Sequence, residues 1–138
     1  MKVMPYLTFA GQCAGALELY GRAFKTKAES VMKASDIPAG EGFVPPSGTE
    51  DMIVQAVLPL GDGLIRMSDS FGQPINEAKT DRLCVAVEAD EETIRNAFAV
   101  LAEKGRVGMD LTATFYSACT GIVDDKFGVK WNLMASAG

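Results

Sequence analysis

The chain contains no histidine. Nucleophiles activated by an imidazole base, as in Ser-His-Asp and Cys-His arrangements, are therefore excluded, and so is any site ligated by imidazole. Acid–base chemistry falls to carboxylates, tyrosine, lysine or cysteine. Cysteine is scarce too: Cys13, Cys84 and Cys119 are an odd number without CxxC spacing. That pattern argues against a disulfide framework and a structural zinc site, and leaves free buried thiols as the ordinary reading. No apolar run approaches the roughly 20 residues of a membrane span. The start, MKVMPYLTF, lacks a long apolar segment ending in a small-residue cleavage site, so no secretory signal is expected and the cytoplasm is the expected location. Positive charge is not clustered and the net charge is −5, so neither nucleic acid nor a membrane is an expected partner.

What is present is an ordinary globular mixture, 138 residues with 48% hydrophobic and 22% charged. This is the size of a single domain, or of two small halves sharing a core. Alternation predicts strands over Val3–Phe9, Lys27–Ala34, Met52–Leu60 and Leu64–Asp69, the last two joined by LGDG, whose Asp-Gly signals a hairpin. Between Cys13 and Phe24, apolar residues recur at helical spacing. After a Gly/Pro-rich loop over 35–51 and a linker over 71–82, the pattern restarts. Leu83–Glu88 reads as a strand; Asp90 caps a helix carrying Ile94, Ala97, Phe98, Leu101 and Ala102; strands follow over Arg106–Leu111, Ala118–Asp124 and Val129–Ala135. Module one (1–70) and module two (83–138) thus share an order of strand, helix, strand, strand, strand. One helix covers one face of a four-stranded sheet and leaves the other for the second half, a partner chain or a ligand. In GVKWNLM, Val129, Trp131 and Leu133 would pack beneath the helix, with Lys130, Asn132 and Met134 on the uncovered side.

Three segments, PYLTFAGQCAGALELYGRAF, LGDGLIRMSD and TFYSACTGIVDDKFGVKWNL, together resemble the PhnB-like branch of the vicinal oxygen chelate superfamily, the glyoxalase/bleomycin-resistance fold. The likeness spans nearly the whole chain and is most specific at DKFGVKW, which matches the family pattern Asp-x-Phe-Gly-x-x-Trp. Members of this branch are often labelled demethylubiquinone methyltransferase-like. The resemblance implies an α+β fold of two βαβββ modules forming a cupped mixed sheet, as a homodimer, around a concave small-molecule site. In the metal-using members, two His and two Glu, or a close variant, bind a divalent cation in that cup. Local patterns carry those positions onto Asn132, onto Cys84, onto Arg66 or Met67, and onto Met4 or a first-strand neighbour such as Tyr6. These are not hard-metal ligands, and a guanidinium opposes a cation, so neither metal nor cofactor is expected.

Six residues are the candidate ligand-binding set: Tyr6, Gln55, Arg66, Cys84, Tyr116 and Asn132. Gln55 and Tyr116 stand where many PhnB-like chains carry His and Trp. Four of them have a plainer reading beside the functional one. Arg66 pairs with Asp69, Glu77 or another nearby acid, or lies under the helix if Gly63 is aligned with Gly128; Gln55 sits on a solvated face; Tyr116 packs; Cys84 is a core thiol. Ser68 and Asp69 would stabilise a turn. No catalytic residue is assigned. The expected activity is binding of a small, anionic or carbonyl-rich molecule in a metal-free concave site, with the loop 35–51 as a flap. The alternative is an enzyme of the superfamily: a lyase, isomerase or dioxygenase, or a methyltransferase by family label.

Overall fold

The computed structural model describes residues 1–38, 40, 42, 44–72, 74–75 and 82–136. Helical periodicity is realised in α1 (Cys13–Phe24), where Cys13, Ala16, Leu19, Tyr20 and Ala23 are all buried. A helix start leaves N–H groups without intrahelical partners. For α1, the Asp69 carboxylate accepts the Cys13 N–H at 2.9 Å. In α2 (Glu91–Leu101), Asp90 does this as the N-cap, accepting from the Thr93 hydroxyl at 2.6 Å and the Thr93 N–H at 3.1 Å. These bonds, the hydroxyl first, hold the Asp90 carboxyl below its ordinary range.

Strands β1 (Tyr6–Phe9), β2 (Ser30–Lys33), β3 (Ile53–Leu60) and β4 (Gly63–Asp69) form one sheet in the order β1-β4-β3-β2. Strands β5 (Val85–Ala89), β6 (Arg106–Thr112), β7 (Thr120–Asp124) and β8 (Lys130–Ala135) form a second in the order β5-β8-β7-β6. In each sheet the β1/β4 or β5/β8 pair is parallel and the rest are antiparallel. The α+β repeat expected from the sequence is therefore present twice. No described helix is long and apolar enough to cross a membrane.

Several strands are shorter than alternation predicts. β1 begins at Tyr6 rather than Val3 because Pro5 has no N–H for the ladder; its carbonyl alone takes part, accepting from the Arg66 N–H at 3.0 Å. β2 gives way at Ala34 to a 3₁₀ turn, Ala34–Asp36, in which Asp36 accepts the Lys33 N–H at 2.9 Å. Cys84 precedes β5 instead of lying within it.

Contacts group the chain into two units, Met1–Gly21 with Thr26–Asn76, and Arg22–Lys25 with Glu77–Gly138. The last turn of α1 thus belongs with the second unit. There Asn96 Nδ2 donates to the Ala23 carbonyl at 3.0 Å, and the Phe24 ring lies 5.3 Å from that of Trp131. α2 packs on β5, β7 and β8. Trp131 and Leu133 are fully buried, while Lys130, Asn132 and Met134 are half-buried on the opposite face. The expected sidedness of this strand holds, except that Val129 falls in the preceding turn.

That turn explains the most specific motif of the sequence. Asp125 is buried; its Oδ1 accepts the N–H groups of Phe127 at 2.9 Å and Val129 at 3.1 Å, and its Oδ2 accepts the Trp131 indole N–H at 3.0 Å. Gly128 has a φ of +88°, in the left-handed region that strains any side chain. Asp125→Ala would orphan the buried indole N–H, at about 1–3 kcal/mol, and two part-buried backbone N–H groups at less, so stability should fall by roughly 2 kcal/mol or more. Asp125→Asn keeps an oxygen for the two backbone donors and should cost about half as much. Urea unfolding followed by Trp131 emission measures both. A loss under about 1 kcal/mol for the alanine variant would show that the turn does not depend on the carboxylate.

Candidate functional site

In β4, Ile65, Met67 and Asp69 are buried on one face, so alternation turns Leu64, Arg66 and Ser68 to the other. Arg66 is paired with Tyr6 on β1 and with Val57 on β3. Side chains at paired positions share a face, and Gln55 follows two residues before Val57. Tyr6, Gln55 and Arg66 therefore lie on one face of the first sheet. The question left open for Arg66 is decided by the slipped alignment: the pairing of β4 is regular on both sides, and Met67 takes the buried position.

The Arg66 guanidinium carbon stands 5.3 Å from the centre of the Tyr6 ring, a cation–π arrangement. The Tyr6 hydroxyl donates to Ser68 Oγ at 2.9 Å. Arg66 is half-buried and has no carboxylate partner among the described residues. The expected alternative, an ion pair with Asp69, does not form. Asp69 is 5% exposed on the opposite face, where its two oxygens accept the N–H groups of Cys13 and Ile53, each at 2.9 Å. It ties α1 to β3 rather than stabilising a turn. Glu77, the other acid considered, lies outside the described residues.

On the second sheet, Asn132 is paired with Ala86 and Ile122, and its amide makes no hydrogen bond among the described residues. Thr120 shares that face by alternation with Ile122. It is buried, and its hydroxyl has no partner among the described residues, a state that costs about 1–3 kcal/mol. Sequence reasoning missed Thr120, for which the alternation Thr120, Ile122, Asp124 was the available signal, and gave Ser68 a turn-stabilising role where its hydroxyl instead accepts from Tyr6.

Two plainer readings are corrected. Cys84 is exposed, so the buried-thiol reading holds for Cys13 and Cys119 only. Tyr116 is 51% exposed and Phe115 is fully exposed, their rings meeting edge to face at 5.0 Å, so this aromatic pair is not packing within the chain. No hydrogen bond or ring contact joins Cys84, Tyr116 and Asn132.

The donors do not fit the divalent cation that the resemblance raised. Among the described residues no three His, Cys, Asp or Glu groups converge. The first open face presents a guanidinium, a phenol, a hydroxyl and an amide rather than the anionic oxygens that a hard divalent ion takes, and the carboxylates that register puts on the second, Glu88 and Asp124, gather no third ligand among the described residues. A groove of about 300 Å³ at the start of α2, lined by Phe24, Lys25, Asp90, Glu92, Thr93 and Asn96, contains none of the six candidates. Its Asp90 and Asn96 side chains already bond Thr93 and Ala23.

No family model matches the chain. Protein YjdN of Escherichia coli K12 is 29% identical over 143 residues, covering 95% of this chain and 92% of that protein. Protein PA1353 from Pseudomonas aeruginosa shares the fold at a TM-score of 0.83 with 28% identity, over 99% of this chain and 98% of the other. A putative 3-demethylubiquinone-9 3-methyltransferase, PhnB protein, from Bacillus cereus aligns at a TM-score of 0.78 with 26% identity, over 99% of this chain and 100% of the other. The fosfomycin resistance protein FosX from Listeria monocytogenes is similar in fold alone, with a TM-score of 0.62 at 8% identity over 99% of this chain and 94% of the other.

Burial first, and the Asp69 carboxylate second, push the Cys13 thiol up to about 12. At about pH 8 the native protein should therefore react with a thiol reagent at one cysteine, Cys84, against three after denaturation. Folded Cys13 keeps its proton where an unfolded thiol, near 9, loses it. This contribution to stability is complete below pH 9 and is lost as pH rises toward 12. Urea midpoints across that range should fall less steeply in Cys13→Ala; an equal slope would show that the thiol is not involved.

Proposed function

We propose, for a PhnB-like chain with the glyoxalase/bleomycin-resistance fold, a role in binding a small anionic or carbonyl-rich molecule on the open face of its first sheet, without a metal. The observation that carries this reading is Arg66, a half-buried guanidinium with a ring on one side and no carboxylate partner among the described residues. A partly desolvated cation without a counter-charge gains most from an arriving anion. The planar fork of arginine matches a carboxylate or paired carbonyl oxygens better than a point charge does. Gln55 makes no hydrogen bond among the described residues and supplies a neutral donor and acceptor on the same face. Tyr6 and Ser68, bonded to each other, fix the ring beneath the guanidinium.

The loop 35–51 serves as the flap in this reading. Its ends are closed by hydrogen bonds from the Ala34 N–H to the Met52 carbonyl at 2.9 Å and from the Ser35 N–H to the Glu50 carbonyl at 3.0 Å. A cytoplasmic location belongs to the same proposal. The methyltransferase description is that of the Bacillus cereus protein, and no residue of this chain argues for it.

Benzoate is a suitable probe, because it joins a carboxylate to a ring that can lie along Tyr6. Titration followed by NMR should shift the Arg66 side-chain N–H and the backbone amides of Tyr6 and Gln55. Arg66→Gln should weaken binding roughly tenfold or more, the worth of a charge-assisted bond, and Tyr6→Phe should weaken it less. Shifts confined to other surfaces, or an affinity unchanged in Arg66→Gln, would overturn the proposal.

A further inference from the structure

Met32 and Gln55 stand opposite each other on β2 and β3. Residues paired in this way are about 5 Å apart at Cβ and share a face. That face is the one carrying Arg66, because Gln55 lies two residues before Val57, and Val57 is paired with Arg66. Gln55 and Arg66 are thus diagonal neighbours, about 7–8 Å apart and within reach of long side chains. Val31 is paired with the buried Ala56 and belongs to the opposite face. β2 is an edge strand with all four residues exposed, and Met32 itself is 44% exposed. Of the seven methionines only Met1 is more open; Met67 is fully buried and Met4, Met52, Met109 and Met134 are half-buried. An oxidant therefore reaches the Met32 sulfur without opening the core.

We infer that Met32 is a redox switch on the anion-binding face: a hydroperoxide converts it to the sulfoxide, whose oxygen takes the Gln55 and Arg66 donors that a ligand would use. This rests on the reading of the Arg66 face as a binding surface and names a regulation of it. In the step, a sulfur lone pair forms the S–O bond as the O–O bond breaks. The departing oxide takes the proton of the transferred hydroxyl and leaves as water or an alcohol. Sulfur gives up two electrons and the peroxide gains them. A thioether is only a weak acceptor, so unmodified Met32 leaves both donors free. The Gln55 amide makes no hydrogen bond and Arg66 has no carboxylate partner among the described residues. A sulfoxide oxygen is a polar acceptor, and its bond to a guanidinium is charge-assisted. The unbranched methionine side chain has the three rotatable bonds needed to bring that oxygen across to Gln55 and Arg66. Because Met32 lies outside the core, the added oxygen acts on binding and leaves packing alone. Methionine sulfoxide reductases reverse the change, which makes it a switch rather than damage.

The test uses a Cys84→Ser background, which removes the exposed thiol, and limited treatment with hydrogen peroxide. Peptide mass spectrometry should find one added oxygen on Met32 before any half-buried methionine is modified. Without any ligand, the Gln55 side-chain amide and the Arg66 side-chain N–H should shift in NMR spectra on oxidation. Benzoate affinity should fall about tenfold, return after treatment with methionine sulfoxide reductase, and survive the same peroxide treatment in Met32→Leu. The urea midpoint should not move. Half-buried methionines reacting ahead of Met32, unmoved Gln55 and Arg66 signals, or an equal loss of affinity in Met32→Leu would each overturn the inference. Benzoate binding that ignores Met32 oxidation would overturn the switch and leave the ligand reading standing. Failure of the unmodified protein to bind benzoate would overturn the ligand reading first, and the switch with it.

Discussion

The buried Asp125 carboxylate is the interaction on which the second half of the molecule depends. It gathers two backbone N–H groups of a tight turn and the indole N–H of Trp131. A strand's sidedness reverses with a slip of one residue. By holding the turn and the first inward residue of β8 together, Asp125 sets which face receives Trp131 and Leu133 and which receives Asn132. The motif by which the chain resembles PhnB-like proteins is therefore a folding device. It says where the open face is, not what binds there.

Asp69 performs a related task in the first half by a different route. Its two oxygens join the start of α1 to the start of β3. With both oxygens engaged on the buried face, it cannot neutralise Arg66, which lies on the other face of the same strand. The free guanidinium is thus a consequence of how the core is tied, and the binding proposal follows from it. The buried Thr120 hydroxyl, without a described partner on the face of Asn132, is a second local cost without a structural return in the single chain.

The chemistry of the first open face suits oxygen-rich partners better than a hard cation. Histidine is absent from the chain, and the described acids do not converge. What remains on the first open face is a cation backed by a ring, beside an amide and exposed thioether and phenol surface. Such a surface suits an anion held by the guanidinium and flanked by the ring.

The sequence by itself determined the two-fold repeat, the order of elements, the capping of α2 by Asp90 and the sidedness of the last strand, because these follow from period and from local turn chemistry. Helix and strand periods are properties of neighbouring residues, and they survive folding unchanged. Only the tertiary structure decided the fate of Arg66, Asp69, Cys84 and Phe115. Whether Arg66 finds a carboxylate depends on where Asp69 points, which depends on the N–H groups of Cys13 and Ile53, 56 and 16 residues away in the chain. Whether a cysteine or an aromatic is buried depends on what the rest of the molecule lays over it, and no window of sequence contains that information.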